Sequence, residues 1–230
     1  MLRPALAAAL LAASALTASA ADLPSSKAAP ALPTFVASAP SPWMIRVRAL
    51  AVIPQASASF KAAGVPLPGA SVDISTSFIP ELDISYFFTE NIAAELVLGT
   101  TPHNISGKDG AVNNLAIGHV WLLPPTLTLQ YHFTSFGKFK PYLGAGVNYT
   151  IFYAENAKGA FSNLSVQNSF GLALQAGFDY MFDQHWGFNV DVKKLWLQPD
   201  AKATLLGAIP VTGKVKIDPW LVGVGVTYRF

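Results

Sequence analysis

The sequence contains no cysteine, and only 12% of its 230 residues are charged. The lack of cysteine excludes disulfide bonds, thiol catalysis and cysteine-ligated metals. Charged residues are about half as frequent as in a typical soluble domain, while 52% of the chain is hydrophobic, so a cytosolic protein is not expected. The net charge is only +2 and the basic residues are scattered, which argues against a nucleic-acid partner.

Long uninterrupted apolar runs are missing from the body of the chain. A membrane-spanning helix needs about 20 predominantly apolar residues in succession. The longest charge-free stretch, residues 111–137, is interrupted by asparagine, histidine, proline and glutamine. Helical spans are therefore not expected. The dominant apolar period is two residues, which is typical of strands with one apolar face.

The N-terminal segment has the features of a secretory signal. Arg3 supplies a positive start, residues 5–18 form an apolar run, and Ala18-Ser19-Ala20 provides small residues at a cleavage site. We predict a signal peptide over residues 1–21, which fits this ending better than a buried alanine-rich helix does. Residues 22–42 carry five prolines among alanine and serine, and are predicted to form a periplasmic linker outside the fold.

Alternation in the rest of the chain predicts a β-barrel over residues 43–230. In the last segment, apolar residues on one face alternate with small or polar residues on the other, as in a membrane-barrel strand. Eight segments are long enough for a tilted span of about 9–11 residues, namely residues 43–53, 77–88, 91–102, 117–133, 140–153, 169–182, 186–198 and 216–230. We predict an all-β fold, an up-and-down eight-stranded antiparallel transmembrane β-barrel. Long loops are expected at 54–76, 103–116, 154–168 and 199–215, alternating with short turns, so both termini would face the periplasm of a Gram-negative bacterium.

Aromatic residues cluster at the ends of the predicted strands, as expected for girdles at the two membrane interfaces. The periplasmic group is Trp43, Phe88, Phe133, Phe182, Trp186, Tyr228 and Phe230. The outer group is Trp121, Tyr149, Tyr153, Phe170, Trp196 and Trp220. The alternative is a soluble β-sandwich with an aromatic core, which would not explain why the large residues share a face with the aliphatic ones.

The opposite faces of the strands indicate what fills the lumen. An eight-stranded barrel is narrow, so its interior is occupied by side chains unless a small ligand replaces them. We predict a polar lumenal plug in which opposite charges pair, formed by Arg46, Arg48, Glu95, His132, Asp179, Asp191, Lys193 and Arg229, with Glu81, Asp83 and Gln130 nearby. Closer to the outside, we predict a hydrophobic lumen that serves as a ligand path, lined by Leu50, Val52, Ile79, Val97, Phe152, Leu195, Leu197 and Leu221.

Two consecutive prolines, Pro124 and Pro125, lie within a predicted strand. Each removes a backbone hydrogen-bond donor from the sheet, so they could open a lateral gate in the barrel wall. The alternative, with at least equal weight, is that they mark a strand end or a bulge near the rim.

Several segments together resemble the outer membrane protein W family. They are Leu82 to Thr101, Leu122 to Phe133 (LLPPTLTLQYHF), Phe139 to Tyr149, Asn189 to Lys194 and Asp218 to Phe230. The resemblance implies an eight-stranded barrel with a hydrophobic channel that admits small apolar compounds. Tyr228 and Phe230 also resemble the C-terminal signal read by the barrel-assembly machinery. The proline-rich segment 22–42 and the first loop depart from the family pattern.

The predicted function is an outer-membrane, porin-like channel for small hydrophobic molecules, with lateral release into the bilayer as its exit. The alternative is a structural or adhesive barrel with a closed lumen whose loops bind partners. The four histidines lack metal-ligand spacing and the context of a catalytic triad, so no enzyme activity, metal or cofactor is expected. The expected partners are outer-membrane lipids, small hydrophobic solutes and the assembly machinery. A closed barrel has no edge to pair, so a monomer is expected.

Overall fold

The computed structural model describes residues 41–230, so the predicted signal peptide and nearly all of the predicted linker lie outside the described residues. No helix within this range is long and apolar enough to cross a membrane. The strands are β1 (Trp43–Ile53), β2 (Ser57–Ala62), β3 (Val65–Leu67), β4 (Ser71–Ile74), β5 (Ser77–Phe87), β6 (Ile92–Leu98), β7 (Thr101–Lys108), β8 (Ala116–Leu123), β9 (Thr126–His132), β10 (Phe139–Ala157), β11 (Phe161–Val166), β12 (Ser169–Met181), β13 (Trp186–Leu197), β14 (Asp200–Leu205), β15 (Ile209–Lys216) and β16 (Trp220–Arg229).

Eight of these strands form a closed antiparallel barrel. Their order around the ring is β1, β5, β6, β9, β10, β12, β13 and β16, and β16 pairs with β1 to close it. Strand β1 pairs with β16 from Met44 opposite Arg229 to Ile53 opposite Trp220, so the two chain ends of the barrel lie side by side. The predicted eight-stranded up-and-down barrel is confirmed. Closure leaves no barrel strand with an unpaired edge.

Side chains alternate strictly between the lumen and the exterior. In β1, Arg46, Arg48 and Leu50 are buried, whereas Val47 between them is 56% exposed. The same alternation in every barrel strand covers the outside with exposed apolar residues such as Leu129, Leu143 and Leu172. An apolar exterior around a closed hydrogen-bonded ring is what a bilayer requires of a spanning protein.

The two ends of the barrel differ in their connections. Short turns join β5 to β6, β9 to β10 and β12 to β13, and we call this the short-turn end. Exposed aromatic side chains surround it, including Trp43, Phe88 and Trp186. Other exposed aromatic residues, including Phe170, Trp196 and Trp220, surround the opposite end. The barrel therefore has two aromatic girdles, at the positions expected for membrane interfaces.

The predicted long loops are wrong as loops, because they are largely strands. Strands β2, β3, β4, β7, β11, β14 and β15, with the second half of β10 and most of β8, extend the barrel wall beyond its girdle at what we call the long-hairpin end. The β2–β3 hairpin turns at Ala63 and Gly64, which have φ values of 46° and 83°, as a two-residue type I′ turn requires. The strands of the long-hairpin end carry small and polar residues on their outward face. These residues weaken the alternation of apolar and polar positions from which strands are predicted.

The predicted strand 117–133 is also wrong as a single element. It is divided into β8 and β9 at Pro124-Pro125, because neither proline has an N–H to donate. The partner strand is interrupted at the same height, where β6 ends at Leu98 and β7 begins at Thr101. The predicted strand 216–230 is likewise divided, into the end of β15 and β16.

Close approach of β1 to β16 makes Gly225 sensitive to any side chain. A Cβ atom at Gly225 would overlap the carbonyl oxygen of Val47, whereas one at Gly223 would meet only the flexible Arg48 and Leu50 side chains, at 3.2 and 3.3 Å. We expect Gly225→Ala to lower the free energy of unfolding by about 1–3 kcal/mol and Gly223→Ala to lower it less. Urea unfolding followed by heat-modifiable gel mobility would measure both. Equal stability of the two variants would contradict the close packing of these strands.

Candidate functional site

Arg46 is the centre of an ion-pair cluster in the lumen near the short-turn end. Its guanidinium donates from Nε and Nη2 to the two carboxylate oxygens of Asp179, at 3.0 and 2.7 Å, and from Nη1 to Glu95. All three residues are buried. This bidentate geometry joins β1 to β12 across the lumen, which no backbone hydrogen bond can do.

Arg48 and Lys193 pair with a second set of carboxylates, one layer further from the short-turn end. Arg48 donates from Nε to Glu81 at 2.9 Å, and its Nη2 lies next to Asp83. Lys193 Nζ lies 2.8 Å from Asp191 and 3.3 Å from Glu81. Charges of both signs alternate at short range, so each buried cation has a carboxylate partner, as a low-dielectric interior requires.

Neutral side chains complete this network. Gln175 donates from Nε2 to both Glu95 and Asp191, at 2.9 and 2.8 Å, and Tyr142 donates to Asp191 at 2.8 Å. Asn189 donates to Asp179 at 2.9 Å. The cluster thus draws on β1, β5, β6, β10, β12 and β13, and it fills the cross-section of the barrel at this level.

Two residues of the predicted plug lie at its margin. His132 is buried between the rings of Phe87 and Tyr142, and its Nε2 is 2.9 Å from the side-chain oxygen of Gln130. Arg229 lies at the barrel mouth, with its guanidinium carbon 4.3 Å from the centre of the Phe87 ring. Within residues 41–230, Arg229 has no ion pair, so it is outside the paired cluster that the sequence led us to expect.

Directly beyond the cluster lies a small apolar cavity, the inner cavity. Seven of the eight residues predicted to line the hydrophobic lumen surround it, namely Leu50, Val52, Ile79, Val97, Leu195, Leu197 and Leu221. Glu81 of the ion-pair cluster also borders it. The inner cavity has a volume of about 30 Å³, so it has room for no more than a narrow chemical group.

The eighth residue, Phe152, faces a different space. It lines an outer cavity enclosed by the strands of the long-hairpin end, together with residues such as Val72, Ile117, Phe161, Val211 and Val215. The outer cavity has a volume of about 60 Å³, and its lining is almost entirely apolar. Sequence reasoning missed it because its walls are the segments predicted as loops. The alternation of Val211, Val215 and Ile217 with lysine and threonine was the available signal.

The two cavities meet at His103, Leu122 and Ile217, which line both. His103 lies in β7, beyond the membrane-spanning barrel, and its Nδ1 is 2.6 Å from the Ser75 carbonyl oxygen while its Nε2 is 3.1 Å from Thr101 Oγ1. Burial lowers the pKa of His103, and the hydrogen bond to Ser75 opposes this only in part. A neutral imidazole with both nitrogens bonded presents mainly its carbon atoms to the cavities.

The barrel wall is interrupted where the inner cavity reaches it. Pairing of β6 with β9 ends at Val97 opposite Thr126, and pairing of β7 with β8 begins at Thr101 opposite Leu122. The inner cavity is bordered here by Gly99 and Pro124.

On the side away from β6 and β7, the two prolines remain bonded to β10. Asn148 donates from Nδ2 to the carbonyl oxygens of Pro124 and Pro125, at 3.1 and 3.3 Å, and the Tyr149 N–H donates to Pro125 at 3.1 Å. Both prolines therefore lie between strand ends, as the second interpretation predicts, and Pro124 also borders the inner cavity. The lateral gate stays a prediction.

The histidine and carboxylate side chains do not form a metal site in the part of the chain that the structure describes. No group of three or more His, Asp or Glu residues among residues 41–230 has suitable geometry. Each lumenal carboxylate near the centre instead faces an arginine or lysine.

Removal of Arg46 tests how far the barrel depends on this cluster. We expect Arg46→Met to lower the free energy of unfolding by about 3–5 kcal/mol, because Asp179 stays buried without its cation and Glu95 keeps only the more distant Arg48, at 3.9 Å. The triple variant Arg46→Met/Asp179→Asn/Glu95→Gln should recover much of this loss. Urea unfolding in detergent micelles would measure both, with the exposed Lys138→Met as control. An Arg46→Met barrel as stable as the control would contradict the assigned pairing.

Comparison with known proteins places this geometry in a family. A sequence model of the OmpW family matches residues 42–230. The uncharacterized outer-membrane protein y4mB of Sinorhizobium fredii is 58% identical over 93% of this chain and 90% of that protein. The dibenzothiophene metabolism operon protein PahQ of Pseudomonas aeruginosa is 29% identical over 83% of this chain and 89% of its own length.

A solved structure has the same fold. The crystal structure of the outer membrane protein OprG from Pseudomonas aeruginosa superposes with a TM-score of 0.75 and 30% sequence identity, covering 83% of this chain and 97% of that one. The family model covers the whole barrel, and the OprG structure superposes on it. Both comparisons agree with the closed ring of eight strands. The chain is a transmembrane β-barrel protein of the outer membrane, and it belongs to the OmpW family.

Proposed function

We propose that this barrel passes small hydrophobic molecules across the outer membrane and releases them laterally into the bilayer. The observation that carries the proposal is the continuity of apolar lining from the outer cavity, past His103 and Leu122, into the inner cavity, which borders the wall interruption at Pro124. An apolar solute on this path remains in contact with apolar groups at each step.

The ion-pair cluster supports an exit through the wall rather than straight through the barrel. A solute moving past Leu50 toward the short-turn end meets Glu81, Arg48 and Lys193, which are held by several charge-assisted bonds. Breaking one such buried pair costs several kcal/mol, about 3–5 by analogy with removal of one partner. At the same level, the ladder between β6 and β9 ends at Val97 and Thr126, and pairing resumes only at Thr101 and Leu122. The lateral path is therefore the less costly one.

The size and lining of the cavities indicate the kind of solute. Both cavities are narrow, and their lining offers few polar groups, so the occupant is a slender or flat apolar molecule. The name of the relative PahQ connects that protein with dibenzothiophene, a flat apolar aromatic compound. This supports the same solute class for the present chain, in a transport role rather than a catalytic one.

The two ends of the barrel would face opposite sides of the outer membrane, and the C-terminal strand would direct its assembly. The short-turn end, which holds β1's start and the C-terminus, would face the periplasm, and the long-hairpin end the outside. Tyr228 and Phe230 would act as the signal for the barrel-assembly machinery. Because the ring is closed, a single chain would suffice as a monomer.

A second function is favoured by the small volume of the cavities. At about 30 and 60 Å³, neither is an open channel, and a barrel with a closed lumen could serve as a structural or binding protein through its long hairpins. The two functions differ in one respect, since only the channel requires the inner cavity to accept a solute.

A charged side chain introduced into the inner cavity would distinguish the channel from the closed-lumen barrel. We expect Leu50→Lys to reduce uptake of an apolar tracer such as dibenzothiophene to the rate of cells lacking the protein, because an ammonium group fills and polarises the path. Leu50→Met, which conserves volume and polarity, should retain most of the wild-type rate. Heat-modifiable mobility would confirm folding of both. Equal uptake by cells with and without the wild-type barrel would remove the channel and leave the closed-lumen function.

Restoring donors at the wall interruption tests the lateral exit. Pro124→Ala/Pro125→Ala returns two N–H groups, which should extend the ladder toward β6 and slow tracer uptake at least several-fold. The matched control is Pro141→Ala in β10, which lies opposite Phe178 near the short-turn end, seven residues from Asn148, the partner of Thr126. A folded double variant that takes up the tracer as fast as the control would exclude the lateral gate.

A further inference from the structure

A group of lysines lies on one outer face of the long-hairpin end. The five-stranded sheet there has the order β11, β14, β15, β2 and β3. Its inner face packs on the outer cavity through residues such as Ala203, Val215 and Phe60. By strand alternation, its outer face carries exposed lysines, which are Lys61, Lys202, Lys214 and Lys216. We call this outer face the basic face.

Strand register brings these lysines together. Lys202 in β14 pairs with Thr212 in β15, which pairs with Lys61 in β2, so the two ammonium groups flank one hydroxyl across three adjacent strands. The next row places Lys214 beside Ser59, and the row after it places Lys216 beside Ser57. Adjacent strands are about 4.8 Å apart and rows on one face are about 7 Å apart, so the basic face alternates cations with hydroxyl groups at short spacing.

The positive charge of this face is only partly compensated, because two aspartates accompany its four lysines. Asp200 lies directly across from Lys214, and Asp218 pairs with Lys216 at 3.2 Å. Within the described residues, Lys61, Lys202 and Lys214 form no ion pair. The opposite wall, made of β4, β7, β8 and the end of β10, presents Asp73, Asn104 and His119 and carries lysines only at its ends. The charge is therefore concentrated on one side.

The basic face begins just beyond the aromatic girdle. Lys194 Nζ lies 4.9 Å from the centre of the Trp220 ring, at the membrane interface, and donates to Gln55 at 3.0 Å. Lys216 precedes Trp220 by four residues, and Lys202 follows Trp196 by six. At about 3.3 Å per residue, the lysines rise roughly 10–20 Å above the interface. They are too far out for acyl chains and at the height of a large headgroup.

We propose that the basic face binds the phosphorylated saccharide headgroup of the outer-leaflet glycolipid, lipopolysaccharide. Lysines would pair with its phosphates, and the hydroxyl groups of Thr212, Ser57 and Ser59 would bond to phosphate or sugar oxygens. A phospholipid carries its single phosphate at the interface, so it would reach Lys216 but not Lys61 or Lys202. This inference uses the proposed orientation of the barrel but does not depend on the channel.

Lipopolysaccharide binding to the full chain in detergent micelles tests the proposal. The variant is Lys61→Gln/Lys202→Gln/Lys214→Gln, which leaves the Lys216 ion pair intact. The control, Lys108→Gln/Lys138→Gln/Lys158→Gln, removes the same charge from other sites. We expect the first variant to bind at least tenfold more weakly than wild type and the control to bind within about twofold. Dephosphorylated lipopolysaccharide should bind wild type as weakly as the intact form binds the first variant.

Two results would overturn the proposal. Equal losses in the two triple variants would show that net charge alone governs binding, and equal affinity for the phosphorylated and dephosphorylated forms would show that the phosphates are not recognised. Because the measurement involves no transport, either result would leave the channel proposal unaffected. Heat-modifiable mobility of both variants would confirm that they are folded.

Discussion

Closure of the backbone hydrogen-bond ring is the constraint on which the other features of this protein depend. A bilayer offers no water to unpaired N–H and C=O groups, so every barrel strand must be paired on both sides. With eight strands, closure makes a lumen so narrow that inward side chains fill it. Arg46, Asp179 and Glu95 can then meet across the barrel, and the interruption of the ladder at Pro124 and Pro125 becomes a distinctive place in the wall.

The lumen is divided between two kinds of interaction. Near the short-turn end, buried charges are tolerated because each has a partner of opposite sign. Toward the long-hairpin end, apolar residues leave two narrow cavities that join at His103. Charge pairing and apolar packing therefore occupy separate parts of the lumen.

Much of this organisation follows from alternation along the sequence, and the failures have physical reasons. The inward positions of Arg46, Leu50 and Asp179 follow from period-two patterns, but the partner of each charge depends on the register around the ring, which sequence does not specify. Phe152 was placed in the inner lumen because β10 was expected to end at residue 153, whereas it continues to Ala157. The hairpins around the outer cavity were predicted as loops, since glycine, proline and serine are typical of both.

The central claim is that apolar solutes enter the lumen and leave through the wall. Crystals of the protein grown with a bromoalkane would test it most directly, because bromine can be located by its anomalous scattering. The account predicts bromine sites in the outer and inner cavities, between Phe152 and Leu221, and a further site against Pro124. Bromine found only on the exterior apolar belt, with both cavities empty, would contradict it.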